Sequence, residues 1–261
     1  MGTGPENLSP GGRGRERQRA GEGDSPLSRT LRGVRLAAPM GASYIPLAFT
    51  LGLLAVQQGL SPWVAALMSA IVFAGASQFA ALAMLRTAVP TPEIVLATLF
   101  INLRHIVYNL SILPKLGIRS LSVRSIVAAV MTDESFAFGS LAADPGIRTQ
   151  AGILGVAGTL WLCWNTGTLA GALLSPNLPP AISNALSVMV YGMFIGLLVP
   201  ALMKLPRAVA VSAAAIAIHL VARQVLPVGW AMVVAILGGS SLGPLLGIGG
   251  EDNAAKVANV D

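Results

Sequence analysis

A single cysteine, Cys163, in 261 residues excludes a disulfide framework or a cysteine metal site. Its place inside an apolar run marks it as a small buried hydrophobe. Charge is also scarce: 11% of residues are Asp, Glu, Lys or Arg, against about 25% in an ordinary soluble domain. None of these, and no histidine, occurs over 36–85, 149–203 or 224–250. A spanning helix needs about 20 apolar residues, so these stretches hold two, two and one of them. Catalytic signatures are missing too. There is no H-E-x-x-H, no Walker A lysine and no G-x-S-x-G elbow, since Gly75-Ala-Ser77-Gln-Phe79 fails at its last position. No loop is long enough for a soluble domain. Without an ATP site, transport has to be secondary or passive, and no cofactor or metal is expected.

What remains is hydrophobic, at 54% of the chain, and reads as an all-α polytopic membrane protein of about seven to eight transmembrane helices. The expected spans are 36–57, 63–85, 93–114, 125–143, 150–174, 182–203, 208–223 and 226–248, separated by turn signals such as Pro90-Thr-Pro92 and Asp144-Pro-Gly146. Residues 1–33 form a basic tail without the apolar region of a signal peptide, expected to be disordered and cytoplasmic, and 34–261 form the transmembrane permease domain. Seven of the 17 Lys+Arg fall in the first 35 residues. That bias places the N-terminus in the cytoplasm of a multi-pass inner-membrane protein and attracts anionic lipid, not nucleic acid. The loop holding Lys115, Arg119 and Arg124 then falls outside, against the rule, and a re-entrant or broken third segment is one way to resolve it.

Small-xxx-small pairs at Gly167/Gly171, Gly192/Gly196 and Gly239/Gly243/Gly247 allow close helix packing. A weak echo between 74–82 and 165–173 is compatible with two inverted repeats of three helices each.

Charged pairs interrupt two of the spans. Arg104-His105 sits in the middle of 94–114, and Asp133-Glu134 in the middle of 125–143. A charge at the bilayer centre costs about 2.5–3.5 kcal/mol on the insertion scale and marks function unless a partner explains it. Gly75-Ala-Ser77-Gln78 and Asn102 lie at the same expected depth. Asn102, His105 and Asn109 share one helical face, while Arg104, Tyr108 and Ser111 lie nearly opposite, so the third span is expected to be buried or locally unwound. Arg104 can bind one carboxylate bidentately, which leaves the second acid protonated, paired with His105 or capping a half-helix. Structural readings stand beside the functional one: an Arg104–Asp133 bridge that pins helices, Asp133 as an N-cap, or Ser77 and Gln78 bonding a neighbouring helix. On the functional reading Ser77, Gln78, Asn102, Arg104 and Asp133 bind substrate, and His105, Asp133 and Glu134 couple protons. Phe73, Phe79, Phe136 and Phe138 offer apolar lining.

At Phe73-Ala-Gly-Ala-Ser-Gln-Phe79, Asn102-Leu-Arg-His105 with Tyr108, and Thr132-Asp-Glu134 followed by Phe136-Ala137, the chain resembles the AzlC family, the large subunit of branched-chain amino acid exporters. The resemblance runs from about Arg35 to the end of the sixth span and leaves out the basic tail. It implies export of branched-chain amino acids or analogues across the cytoplasmic membrane, with a small AzlD-type membrane subunit as partner. A carrier or channel for another small metabolite is the alternative, and an intramembrane enzyme a distant third.

Overall fold

Helix α1 runs from Pro26 to Gln57 in the computed structural model, which describes residues 25–116, 118, 120–133, 135–136 and 149–247. Ser25 explains the early start. Its Oγ accepts from the Ser28 N–H at 3.2 Å, and Pro26 follows at the first helical position. Residues 26–33, assigned to the tail on composition, are therefore helical. The expected second span is two helices, α2 (Pro62–Val72) and α3 (Gly75–Arg86), separated at Phe73, whose φ of 34° is left-handed. Next come α4 (Thr91–Ile112), a 3₁₀ turn at Leu113–Leu116, and α5 (Leu121–Ala129). Then follow α6 (Gln150–Leu174), α7 (Pro180–Lys204), α8 (Pro206–Ala222) and α9 (Val228–Leu245).

No strand occurs among the described residues. Three of their helices, α1, α4 and α9, are long and apolar enough to cross a membrane. At 1.5 Å per residue, the 11 residues of α2 and the 12 of α3 each cover little more than half of a hydrocarbon layer about 30 Å thick.

The third segment is neither broken nor buried. Helix α4 is continuous, and only 11% of its most apolar stretch is buried. At about 100° per residue, both polar rows fall within half of its circumference. A stripe of Leu99, Leu103, Ile106, Val107 and Leu110 is left exposed for lipid. The breaks come instead in the second and fourth segments. The echo of 74–82 in 165–173 joins unlike positions, because Ala74 stands at a break while Asn165 lies inside unbroken α6.

The chain divides into two compact units, 1–46 with 104–166 and 47–103 with 167–261. In the first, Gly33 lies against the Gly152 backbone, Gly155 against Thr30 and Gly41 against Cys163, so α1 and α6 run parallel. An apolar cluster of Ile112, Leu116, Ile118, Val127 and Met131 takes in Ile153 and Leu154 of α6. In the second, Gly52 meets Thr168 and Gly171 meets Phe49, both backbone to backbone. Met84, Val89, Ile94 and Ala97 pack α3 against α4, with Val228 and Met232 of α9 alongside. Helices α8 and α9 form an antiparallel pair through Ala215–Gly239 and Ile218–Gly238, and Arg207 Nη1 donates to Leu246 O at 3.0 Å.

Of the small pairs named from sequence, Gly171 and Gly239 make close approaches, whereas Gly192, Gly196 and Gly243 meet nothing within 4 Å. Gly171→Val places a side chain against backbone that cannot rotate away, so it is expected to cost at least the 1–3 kcal/mol typical of overpacking, roughly. Thermal unfolding of the purified protein in detergent checks this, with Gly192→Val expected to melt close to wild type.

Candidate functional site

In the first unit, Arg104 of α4 and Asp133 come together. Arg104 Nη1 lies 2.8 Å from Asp133 Oδ2, and the two side chains are 35% and 37% exposed. A break in the helix brings Asp133 there. Helix α5 stops at Val130, and a new turn opens with Thr132 as its N-cap. The Ser135 N–H donates to Thr132 Oγ1 at 3.2 Å, and the Thr132 N–H donates to Ser135 Oγ at 2.7 Å, a reciprocal cap. Asp133 is thus the first residue of the turn and not its cap, where the helix dipole favours its negative charge.

The carbonyls freed where α5 ends are answered from α4. Asn109 Nδ2 donates to Ala128 O at 3.2 Å and to His105 O at 2.8 Å. Tyr44 of α1, buried against Trp164, shares a 2.9 Å hydrogen bond with Thr132 Oγ1. Tyr108 stacks on Phe136 with ring centroids 4.5 Å apart, and the His105 ring lies 6.0 Å from Tyr108. His105, Asn109 and Arg124 also line a cavity of about 320 Å³.

The ion pair is monodentate, and that leaves polar atoms over. Among the described residues, Arg104 Nε and Asp133 Oδ1 are buried without a hydrogen-bond partner, as are Asn102 Oδ1 and Asn109 Oδ1. A bridge that only pinned two helices would gain by closing the second contact. Here one donor and one acceptor remain, at half-buried depth, beside an aromatic wall.

Ser77 and Gln78 belong to the second unit and face their own chain. Ser77 Oγ donates to Ala74 O at 2.9 Å. Gln78 Nε2 donates to Ser69 Oγ at 3.3 Å, and Ser69 shares a 2.8 Å bond with Thr168. All four side chains are fully buried. Phe73 is buried at the break, while Phe79 turns to an open cavity beside α3. Glu134 and Phe138 lie outside the described residues.

Sequence reasoning missed Tyr44 and the capping part played by Asn109. A lone tyrosine between Pro39 and Pro46 was the available sign, because a hydroxyl in an apolar span needs a partner.

The chain matches the family described as AzlC protein over residues 39–178, which takes in both helix breaks and the Arg104–Asp133 pair and ends before α7. It is 32% identical over 181 residues to "Inner membrane protein YgaZ" of Escherichia coli (strain K12), covering 67% of this chain and 74% of that one. It is 33% identical over 217 residues to an "Uncharacterized membrane protein" of Archaeoglobus fulgidus, covering 82% of this chain and 92% of that one. An "Uncharacterized membrane protein" of Helicobacter pylori (strain ATCC 700392 / 26695) is 32% identical over 135 residues, or 51% of this chain and 59% of that one. No solved structure matches.

Tyr44→Phe is expected to cost about 0.5–1.5 kcal/mol, the net worth of one hydrogen bond. Thr132→Val removes the cap as well and is expected to cost about 0.5–2 kcal/mol more. In a double-mutant cycle read by denaturation in detergent, the two losses are expected to fall short of additive by roughly the value of the shared bond.

Proposed function

The chain belongs to the AzlC family of membrane proteins, and from that premise we propose that it is a permease subunit exporting branched-chain amino acids or analogues across the cytoplasmic membrane. The observation that supports this most is the open ion pair. Arg104 keeps Nε, and Asp133 keeps Oδ1, without a partner. A zwitterion offers the complementary pair: an α-carboxylate for the guanidinium and an α-ammonium for the carboxylate. Asn102, whose Oδ1 is buried, belongs to the second unit and is proposed as a substrate-binding acceptor in its own right. Tyr108 and Phe136 supply an apolar surface for an aliphatic side chain.

Ser77 and Gln78 are proposed to act on substrate only when α3 shifts, since both are buried against the chain in this conformation. Glu134 and His105 are the proposed proton carriers. The N-terminus is proposed to lie in the cytoplasm, a reading supported by the seven basic residues up to Arg35. A small AzlD-type membrane subunit is the proposed partner, and the uncovered Gly192–Gly196 stripe of α7 offers room for a helix.

Membrane vesicles from cells expressing the full chain are expected to show leucine counterflow. Arg104→Lys and Asp133→Asn are each expected to lower it about ten- to hundredfold, the equivalent of a charged hydrogen bond worth roughly 1.5–3 kcal/mol. If both variants transport at the wild-type rate, the site is wrongly assigned. Counterflow of organic anions in place of leucine points to another metabolite. Export is expected to accelerate when a proton gradient opposite to the amino-acid flux is imposed, and a rate indifferent to pH with the potential clamped at zero removes proton coupling.

A further inference from the structure

The side on which each helix begins can be followed through contacts. In the second unit α1 and α6 end together. Gly52 lies against Thr168, and Ser175 Oγ donates to Leu53 O at 3.5 Å. Helix α7 starts five residues later, so it starts on that side. Its 25 residues span about 37 Å, enough to cross. Helix α8 leaves directly from the far end, and its antiparallel partner α9 therefore begins back where α1 ends. Glu93, in the first turn of α4, accepts a 3.1 Å hydrogen bond from the Gly229 N–H in the first turn of α9. Thus α4 begins on the side where α1 ends, and everything between them must go in and come back.

The local geometry agrees. Gln78 reaches Ser69 across the break at Phe73-Ala74, as the arms of a hairpin do and successive turns of one straight helix do not. A cavity of about 1050 Å³ is lined by Gln57 and Gln58 at the end of α1, by Asn184 near the start of α7, and by α3 from Ala76 to Thr87. A helix descending to the far side would carry Thr87 away from Gln58 by the depth of α3.

We propose that residues 62–86 form a re-entrant hairpin whose α3 face walls a binding vestibule for small carboxylates bearing an aliphatic group, open on the membrane side opposite the N-terminus. Arg86 is the cation of its rim, with the amides of Gln57 and Asn184. Leu54, Phe79 and Val188 make the apolar wall. The ligand class rests on the export reading above, whereas the hairpin does not.

The first unit carries a broken segment of its own. Ile112 and Leu116 at the end of α4 share one apolar cluster with Val127 and Met131, and Ile153 and Leu154 at the start of α6 pack against that cluster. The start of α6 lies beside that of α1. The end of α4, before α5, and the start of α6 thus lie on the side where α1 begins. Ser61 and Ser120 cap the first arms alike, each accepting from the N–H of a valine three residues on. Lys115 and Arg124 then fall on the same side as Arg29, Arg32 and Arg35 at the start of α1, and the misfit with the positive-inside rule disappears.

The test is cysteine accessibility in the full chain carrying Cys163→Ala. Gln58→Cys, Thr87→Cys and Ala83→Cys are expected to react with a membrane-impermeant thiol reagent from the same side, and Arg124→Cys from the other. Labelling of Thr87→Cys from the side opposite Gln58→Cys overturns the hairpin, whether or not leucine moves. Leucine is expected to slow labelling of Ala83→Cys severalfold. Unchanged labelling in vesicles that do move leucine overturns the vestibule. If leucine is not moved by wild type or variants, the export reading and its ligand class fall, while sidedness still decides the hairpin.

Discussion

The backbone contact between α1 and α6 constrains everything else. Gly33 and Gly155 in one unit, and Gly52 and Gly171 in the other, let two long helices run parallel with no side chain between them. Because they are parallel, the sequence joining the end of one to the start of the other must return to the side from which it set out. Helix α4 makes that return. The segments on either side of it have no net crossing left to make. Their half-length helices and mid-helix breaks follow from that topological limit, because an apolar segment that reaches mid-depth and turns needs a place to turn.

Breaking a helix inside a membrane exposes backbone groups that water cannot satisfy. The two breaks meet this in different ways. At 130–132 the answer comes from side chains: Asn109 bonds a carbonyl of α5, Thr132 and Ser135 cap each other, and Tyr44 steadies the cap from α1. At 73–74 no side chain of Ala74 caps α3, and a buried Thr168–Ser69–Gln78 chain holds the arms from outside the turn. The first solution is rich in hydrogen-bonding groups beside a charged pair. The second is apolar and tight, with an open cavity on its far face.

The polar residues were legible in the sequence because charge in an apolar run has no bland local explanation. That Arg104 would take one carboxylate was legible from sign alone, while which of the two acids it takes was left open; the structure shows a bridge to Asp133. Their geometry was not legible. Alternation around α4 was read as polarity on opposite faces, whereas half a circumference is enough to hold both rows and still leave a lipid stripe. The hairpins were hidden for a related reason. Twenty-odd apolar residues look the same whether they cross once or go halfway and back. The clue that discriminates them, Phe73 in a left-handed conformation, sits at a residue type that gives no warning. Glycines misled in the other direction, since Gly192 and Gly196 have the right spacing and touch nothing.

The charge rule was the one sequence signal that already disagreed with straight-through spans. Lys115 and Arg124 were in the wrong place only while each apolar segment was counted as one crossing. A basic loop is costly to translocate and leaves few ways to be rescued by packing, so it reports sidedness more faithfully than hydropathy reports crossings. The Glu93–Gly229 bond gives the same answer by independent means, since it ties the start of α4 to the start of α9 without reference to any charge outside the membrane. Two constraints of unrelated origin, one electrostatic and one a single hydrogen bond, therefore require the same fold of the chain. In the second unit that fold pairs the half-helices α2 and α3, which enter from the side where α1 ends, with α3 walling a cavity.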